Sequence, residues 1–229
     1  MKPESRAQFE LESEDYLEKH NIFGIFQNLT EQLIVERPKD PLGFILGLLE
    51  KPVTELIVIL TPPGSGFKGS YEEQIQTSLN AKVISLSNDL SKHVAKHSFA
   101  NLPDSVVEST LEHHLPELRN LESNRILIGF PRTVSQVHML RHRKVYPHKI
   151  FIVNYENAKL LENLEKKIFE SLGKEGGDDT KKVAKQKAKE ILDEYMSNLS
   201  QIKEIYRDIA FEIDGTKENE GLITKVRKI

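Results

Sequence analysis

The chain has 229 residues, 38% hydrophobic and 29% charged, which is room for one compact α/β core and a small appendage. Basic and acidic side chains are intermixed and leave a formal net charge of −3, so no global basic field invites nucleic acid. Cysteine is absent, which excludes disulfides and thiolate metal sites, and no apolar run approaches the ~18 residues that a membrane-spanning helix needs.

Residues 1–14 read as a disordered acidic tail, unlike a signal peptide, and the chain is expected to be soluble and cytoplasmic. Residues 15–52 read as a helical hairpin. Ile22, Phe23, Phe26, Leu29 and Leu33 recur at helical spacing and form one apolar stripe. Pro38-Lys39-Asp40-Pro41 then breaks the chain, with Asp40 as a good N-cap and Pro41 at the favoured first helical position. The second helix carries Leu42, Phe44, Ile45, Leu46, Leu48 and Leu49, and Pro52 ends it. Two short helices cannot bury that much apolar surface alone, because isolated short helices are marginal in water. A cover is needed, either this chain's own core or a second hairpin.

The stretch from Tyr16 to Ile45, above all Glu36-Arg37-Pro38-Lys39-Asp40-Pro41, resembles the dimerization/docking domain of the regulatory subunit of cAMP-dependent kinase. The resemblance implies a docking interface built from Ile22, Phe23, Phe26, Leu29, Leu33, Leu42, Ile45, Leu46 and Leu49. Its implied partners are a second hairpin, from its own copy or a paralogue, and an amphipathic anchoring helix.

Residues 53–229 read as one α/β domain. Glu55 to Leu60 is a short buried-strand run that feeds Thr61-Pro62-Pro63-Gly64-Ser65-Gly66 directly. A strand, a glycine-rich turn and a helix together form the setting in which backbone amides cradle phosphates. Gly64, Ser65, Gly66, Lys68, Gly69 and Ser70 are therefore the candidate nucleotide-binding residues. The phosphate-loop pattern G-x-x-x-x-G-K-[ST] is altered, however. Thr61 holds the first glycine position, Phe67 holds the lysine position, and Lys68-Gly69-Ser70 follow one residue late. At 3.6 residues per turn, a slip of one residue rotates a side chain by about 100°. Either the loop bulges around Phe67, the lysine points away, or the turn holds no ligand at all.

Later strings strengthen the reading. Val83 to Leu90, Leu102-Pro103-Asp104-Ser105-Val106-Val107, Gly129-Phe130-Pro131-Arg132-Thr133 with Gln136 three residues on, and Ile213-Asp214-Gly215 resemble the adenylate kinase family. The likeness runs with gaps from about Glu55 to the C-terminus. It implies a P-loop nucleoside-monophosphate-kinase-like parallel five-stranded sheet flanked by helices. It also implies a monophosphate site at Lys92, Arg132 and Gln136. A docking hairpin ahead of such a core is similar to the ciliary, axonemal adenylate kinases, which implies a place in a cilium or flagellum.

Against the family pattern the charges are depleted. Ile128 stands where the family has a metal-holding aspartate, and Lys92 stands for an arginine, losing the bidentate fork. Between Arg143 and Arg207 there is no arginine, and Asn163 or a neighbour holds the position where the family places one. The lid is reduced to a polar stub, Gly173 to Asp179, too short to fold over a nucleotide. Lys181, Lys182, Lys185, Lys187 and Lys189 read as a solvated helix face partnered by Glu190 and Asp193. The expectation is a catalytically inactive scaffold with no confident catalytic residue and no cofactor. The alternative is a weak ATP:AMP phosphotransferase using Lys68 and Arg132, or a nucleotide sensor, binding ATP, ADP or AMP with Mg²⁺. His93 with His97, His113 with His114, and His138 with His142 read as exposed pairs and not as metal ligands.

Overall fold

A computed structural model of the chain describes residues 8–10, 12–14, 16–17, 20, 22–50, 54–65, 76–78, 80–91, 102–120, 123–172 and 178–215. Short runs rich in leucine, isoleucine and valine make five strands. These are β1 (Leu56–Leu60), β2 (Ala81–Ile84), β3 (Asn124–Ile128), β4 (Lys149–Asn154) and β5 (Ala210–Asp214). They pair side by side, all parallel, in the order β2-β3-β1-β4-β5, the five-stranded parallel sheet that the sequence led us to expect. Parallel sheets are covered on both faces, so their central strands read as unbroken apolar runs. All five residues of β1 are buried.

Alternation along the strands divides the core in two. Leu56, Val58 and Leu60 face one side. There they meet Val107, Leu111 and Leu115 of α4 (Asp104–Arg119), Val137 and Leu140 of α5 (Val134–His142), and Leu199 and Ile202 of α7 (Asp178–Ile205). Ile57 and Ile59 face the other side with Ile126, Ile128, Phe151 and Ile213. Each such side chain contributes roughly 1.5–3 kcal/mol over leaving it exposed. Leu160 and Leu164 of α6 (Asn157–Leu172) pack on Ala188 and Leu192 of α7. That last helix starts at Asp178, earlier than the apolar stripe from Val183 shows, because its first turn is polar.

The helical pair is α1 (Ile22–Glu36) and α2 (Pro41–Leu49). Asp40 caps α2 as its sequence position suggests: its carboxylate accepts the Gly43 N–H at 3.1 Å, with Pro41 at the helix start. Among the described residues of the acidic segment, 8–10 and 12–14 are helical, with Gln8 donating to Glu12 at 3.0 Å. Neither α1 nor α2 contains a buried residue.

Two histidines are held by specific partners, and only the first of them, His114, was expected from its spacing to be simply exposed. His114 on α4 bonds Asp89 of α3 (Leu86–Ser91) at 2.9 Å through Nε2, and its Nδ1 lies 3.5 Å from Glu117. His148, just before β4, accepts the Leu56 N–H through Nδ1 at 3.1 Å. Burial holds the His148 pKa below its usual value; Arg125 and Lys149 push the same way, while Glu55 and the Leu56 amide oppose. The unfolded chain therefore binds more protons here than the folded one. Its stabilisation is present above the ordinary histidine value of about 6.5 and is lost as pH falls towards the lower folded value. Urea midpoints of the wild type should accordingly drop below about pH 6.5, and His148→Gln should flatten that part of the curve.

Candidate functional site

From β1 the chain crosses to β2 on one side of the sheet, and from β4 it continues to β5 on the other. The carboxyl ends of β1 and β4 thus flank the point where the winding reverses, the place where open α/β sheets bind ligands. Of the residues the sequence singles out, Gly64, Ser65, Arg132 and Gln136 come to this edge. Gly66, Lys68, Gly69, Ser70 and Lys92 lie outside the described residues.

After β1, Thr61 and Pro62 are buried and the Ser65 N–H closes a turn on the Pro62 carbonyl at 3.2 Å. Gly64 takes φ +83°, a conformation open to glycine and costly for other residues. Helix α6 fills the space beside it. A Cβ on Gly64 would stand 2.7 Å from the Leu160 carbonyl oxygen and 2.9 Å from Leu164 Cγ. Asn163, at the position where an arginine was sought, donates from Nδ2 to the Gly64 carbonyl at 2.9 Å. It anchors the turn and brings no charge.

After β3, Gly129 takes φ +72° and donates its N–H to the Ile59 carbonyl at 2.8 Å, tying this turn to β1. Arg132 donates Nε–H back to the Gly129 carbonyl at 2.9 Å. Its backbone N–H goes to Gln136 Oε1 at 2.7 Å, and the Gln136 N–H goes to Thr133 Oγ1 at 3.2 Å, capping α5. The side chains that would read a mononucleotide thus stitch a strand end to a helix start.

Desolvation holds the Arg132 guanidinium below its ordinary pKa, with Tyr195 opposing weakly. Burial pushes the Tyr195 hydroxyl up to about 12, against the pull of Arg132, and its oxygen has no hydrogen-bond partner among the described residues. The apolar stripe of α7 places Tyr195 in the core but gives no sign that its hydroxyl is left without a hydrogen-bond partner among the described residues.

At the end of β3 the described residues offer a metal no ligand. Ile128 ends β3 only 3% exposed, packed in the cluster with Ile57, Ile59 and Phe151, so the family's aspartate position offers no oxygen. The described residues hold no group of three or more His, Asp or Glu that could bind a metal. The lysines of α7 are exposed, and Glu190 accepts from Gln186 at 2.8 Å rather than from a lysine as expected. Among the described residues, no helix is long and apolar enough to cross a membrane.

Comparison with known proteins gives two separate matches. Residues 11–48, the helical pair with its approach, match a family described as "Testis-specific expressed protein 55". The chain also matches "Adenylate kinase 8" of Xenopus laevis, 27% identical over 165 residues, which is 67% of this chain and 34% of the relative. The Mus musculus protein of that name is 28% identical over 169 residues, 69% of this chain and 35% of the relative. An "Adenylate kinase" of Trypanosoma brucei rhodesiense is 25% identical over 150 residues, 60% of this chain and 71% of the relative. The chain thus spans about a third of the length of the first two.

Proposed function

We propose that this chain, similar to adenylate kinases over about two thirds of its length, is a catalytically inactive member of that family, a scaffold that docks through its helical pair into a larger assembly. The observation that carries this reading is the state of the glycine turn. Helix α6 presses on Gly64 with the Leu160 carbonyl, and Asn163 bonds the turn where a phosphate-clamping arginine is wanted. Phosphoryl transfer depends on positioned positive charge and a metal, with little covalent chemistry from the protein. Here the Arg132 Nε–H is committed to a backbone carbonyl and an isoleucine stands at the metal position. The relatives carry the name of an enzyme, so adenine-nucleotide phosphotransfer is the activity against which this chain must be weighed.

The docking half of the proposal rests on exposed apolar area. Phe26 is 65% exposed and Leu42 67%, on helices where Leu29, Leu33 and Ile45 are half-buried and no residue is fully buried. We take the occupant to be a second copy of the hairpin, with a groove left for an amphipathic helix. The order of hairpin and core, similar to the axonemal adenylate kinases, supports a ciliary or flagellar setting.

Calorimetric titration with ADP and Mg²⁺ tests the inactive reading. We expect no saturable heat at millimolar nucleotide. A dissociation constant in the micromolar range would support the sensor or weak-enzyme reading instead.

A further inference from the structure

The opposite edge of the sheet, where the strands begin, carries a cavity of about 40 Å³. Its walls come from two parts of the chain. Helix α1 contributes Asn28 and Glu31, and the α/β domain contributes Arg125, Lys144 and His148. Arg125 is the second residue of β3 and is only 3% exposed. Its Nη1 donates to the Leu118 carbonyl at 2.8 Å and its Nη2 to the Thr54 carbonyl at 3.4 Å. Its Nε–H has no acceptor, and no carboxylate pairs with it, among the described residues. Desolvation alone pushes its pKa down to about 10, with no neighbouring acid to hold the charge.

A buried guanidinium in this state is costly, since buried charges are otherwise paired. The acids close by are already engaged. Glu55 pairs with Lys149 at 2.7 Å, and Glu31, itself a carboxylate in the cavity wall, accepts from the neutral amide of Gln27 at 2.8 Å. The remaining groups are donors. His148 uses Nδ1 as an acceptor, so the neutral ring carries its proton on Nε2. The Lys144 ammonium lies 4.9 Å from the centre of the Phe23 ring of α1. A space of this size holds a few water-sized groups, the bulk of a carboxylate or phosphate head and far less than a nucleotide.

We propose that this cavity binds a small oxyanion, a carboxylate or phosphate group, held among Arg125, Lys144 and His148 at the seam between α1 and the sheet. Because α1 forms one wall, occupancy fastens the helical pair to the α/β domain. The site is separate from the nucleotide cleft and does not depend on the activity assigned there.

The test uses the full chain at constant ionic strength, with inorganic phosphate, acetate or chloride added. Phosphate is expected to raise Tm saturably by about 3–5 °C at concentrations well above its Kd and to slow amide exchange over residues 22–36. Arg125→Met should abolish both responses. Since that variant can fail to fold, Lys144→Glu at an exposed position should weaken the response about tenfold. Arg132→Met, in the cleft, should leave it intact. A matching response to acetate identifies carboxylate as the natural group, and a response to phosphate alone identifies phosphate. The proposal is overturned if chloride acts as well as phosphate, if neither oxyanion acts, or if Arg125→Met or Lys144→Glu responds like the wild type.

Discussion

Gly64→Ala is expected to destabilise the protein by about 3 kcal/mol, a large share of the 5–15 kcal/mol that holds a typical domain. Two costs add. A residue with a Cβ at φ +83° loses roughly 1–2 kcal/mol, and forcing that atom against a packed helix costs roughly 1–3 kcal/mol more. The clash is with the Leu160 backbone, 2.7 Å away, so a rotamer change cannot relieve it. Gly47 is the internal control. It sits within α2 with nothing within 4 Å of its added Cβ, and Gly47→Ala should stabilise by about 0.5–1 kcal/mol. Urea midpoints of the two variants should move in opposite directions. If both rise, helix α6 does not grip the turn as described.

Replacing Leu42 and Leu46 together by glutamate is expected to convert a dimer into a monomer. These leucines are 67% and 54% exposed in the single chain, so the exchange costs the monomer little. In a paired hairpin each would contribute roughly 1.5–3 kcal/mol, doubled by symmetry, and every 1.4 kcal/mol is tenfold in Kd. The double variant should therefore bind its copy at least about 10³-fold more weakly by sedimentation equilibrium. A wild type that stays monomeric at high concentration, or a double variant that stays dimeric, would remove the docking half of the account.

Much of this was legible in the residues. Leu56 to Leu60 and Lys149 to Val153 announce buried parallel strands because no polar side chain interrupts their apolar centres. Asp40-Pro41 announces a helix start because cap and first-turn chemistry are local. The resemblance puts a missing arginine at Asn163 or a neighbour, but the bond from Asn163 to the Gly64 carbonyl, 99 residues away in sequence, was not legible. Arg132 and Gln136 carry the family string, yet they bond the Gly129 carbonyl and the start of α5. A motif names side chains; burial and neighbours decide what their donors do. Arg125 looked like an ordinary strand residue, since nothing in sequence shows that α1 closes over it.

The account depends most directly on the absence of turnover, and a coupled assay of the full chain with ATP, AMP and Mg²⁺ measures it. Kinases typically turn over at about 1–100 s⁻¹, and a single lost arginine finger costs about 10³–10⁵ in rate. We predict ADP formation indistinguishable from that of a preparation carrying Arg132→Met. Turnover within that kinase range, abolished by Arg132→Met, would contradict the scaffold reading and place this chain among working enzymes.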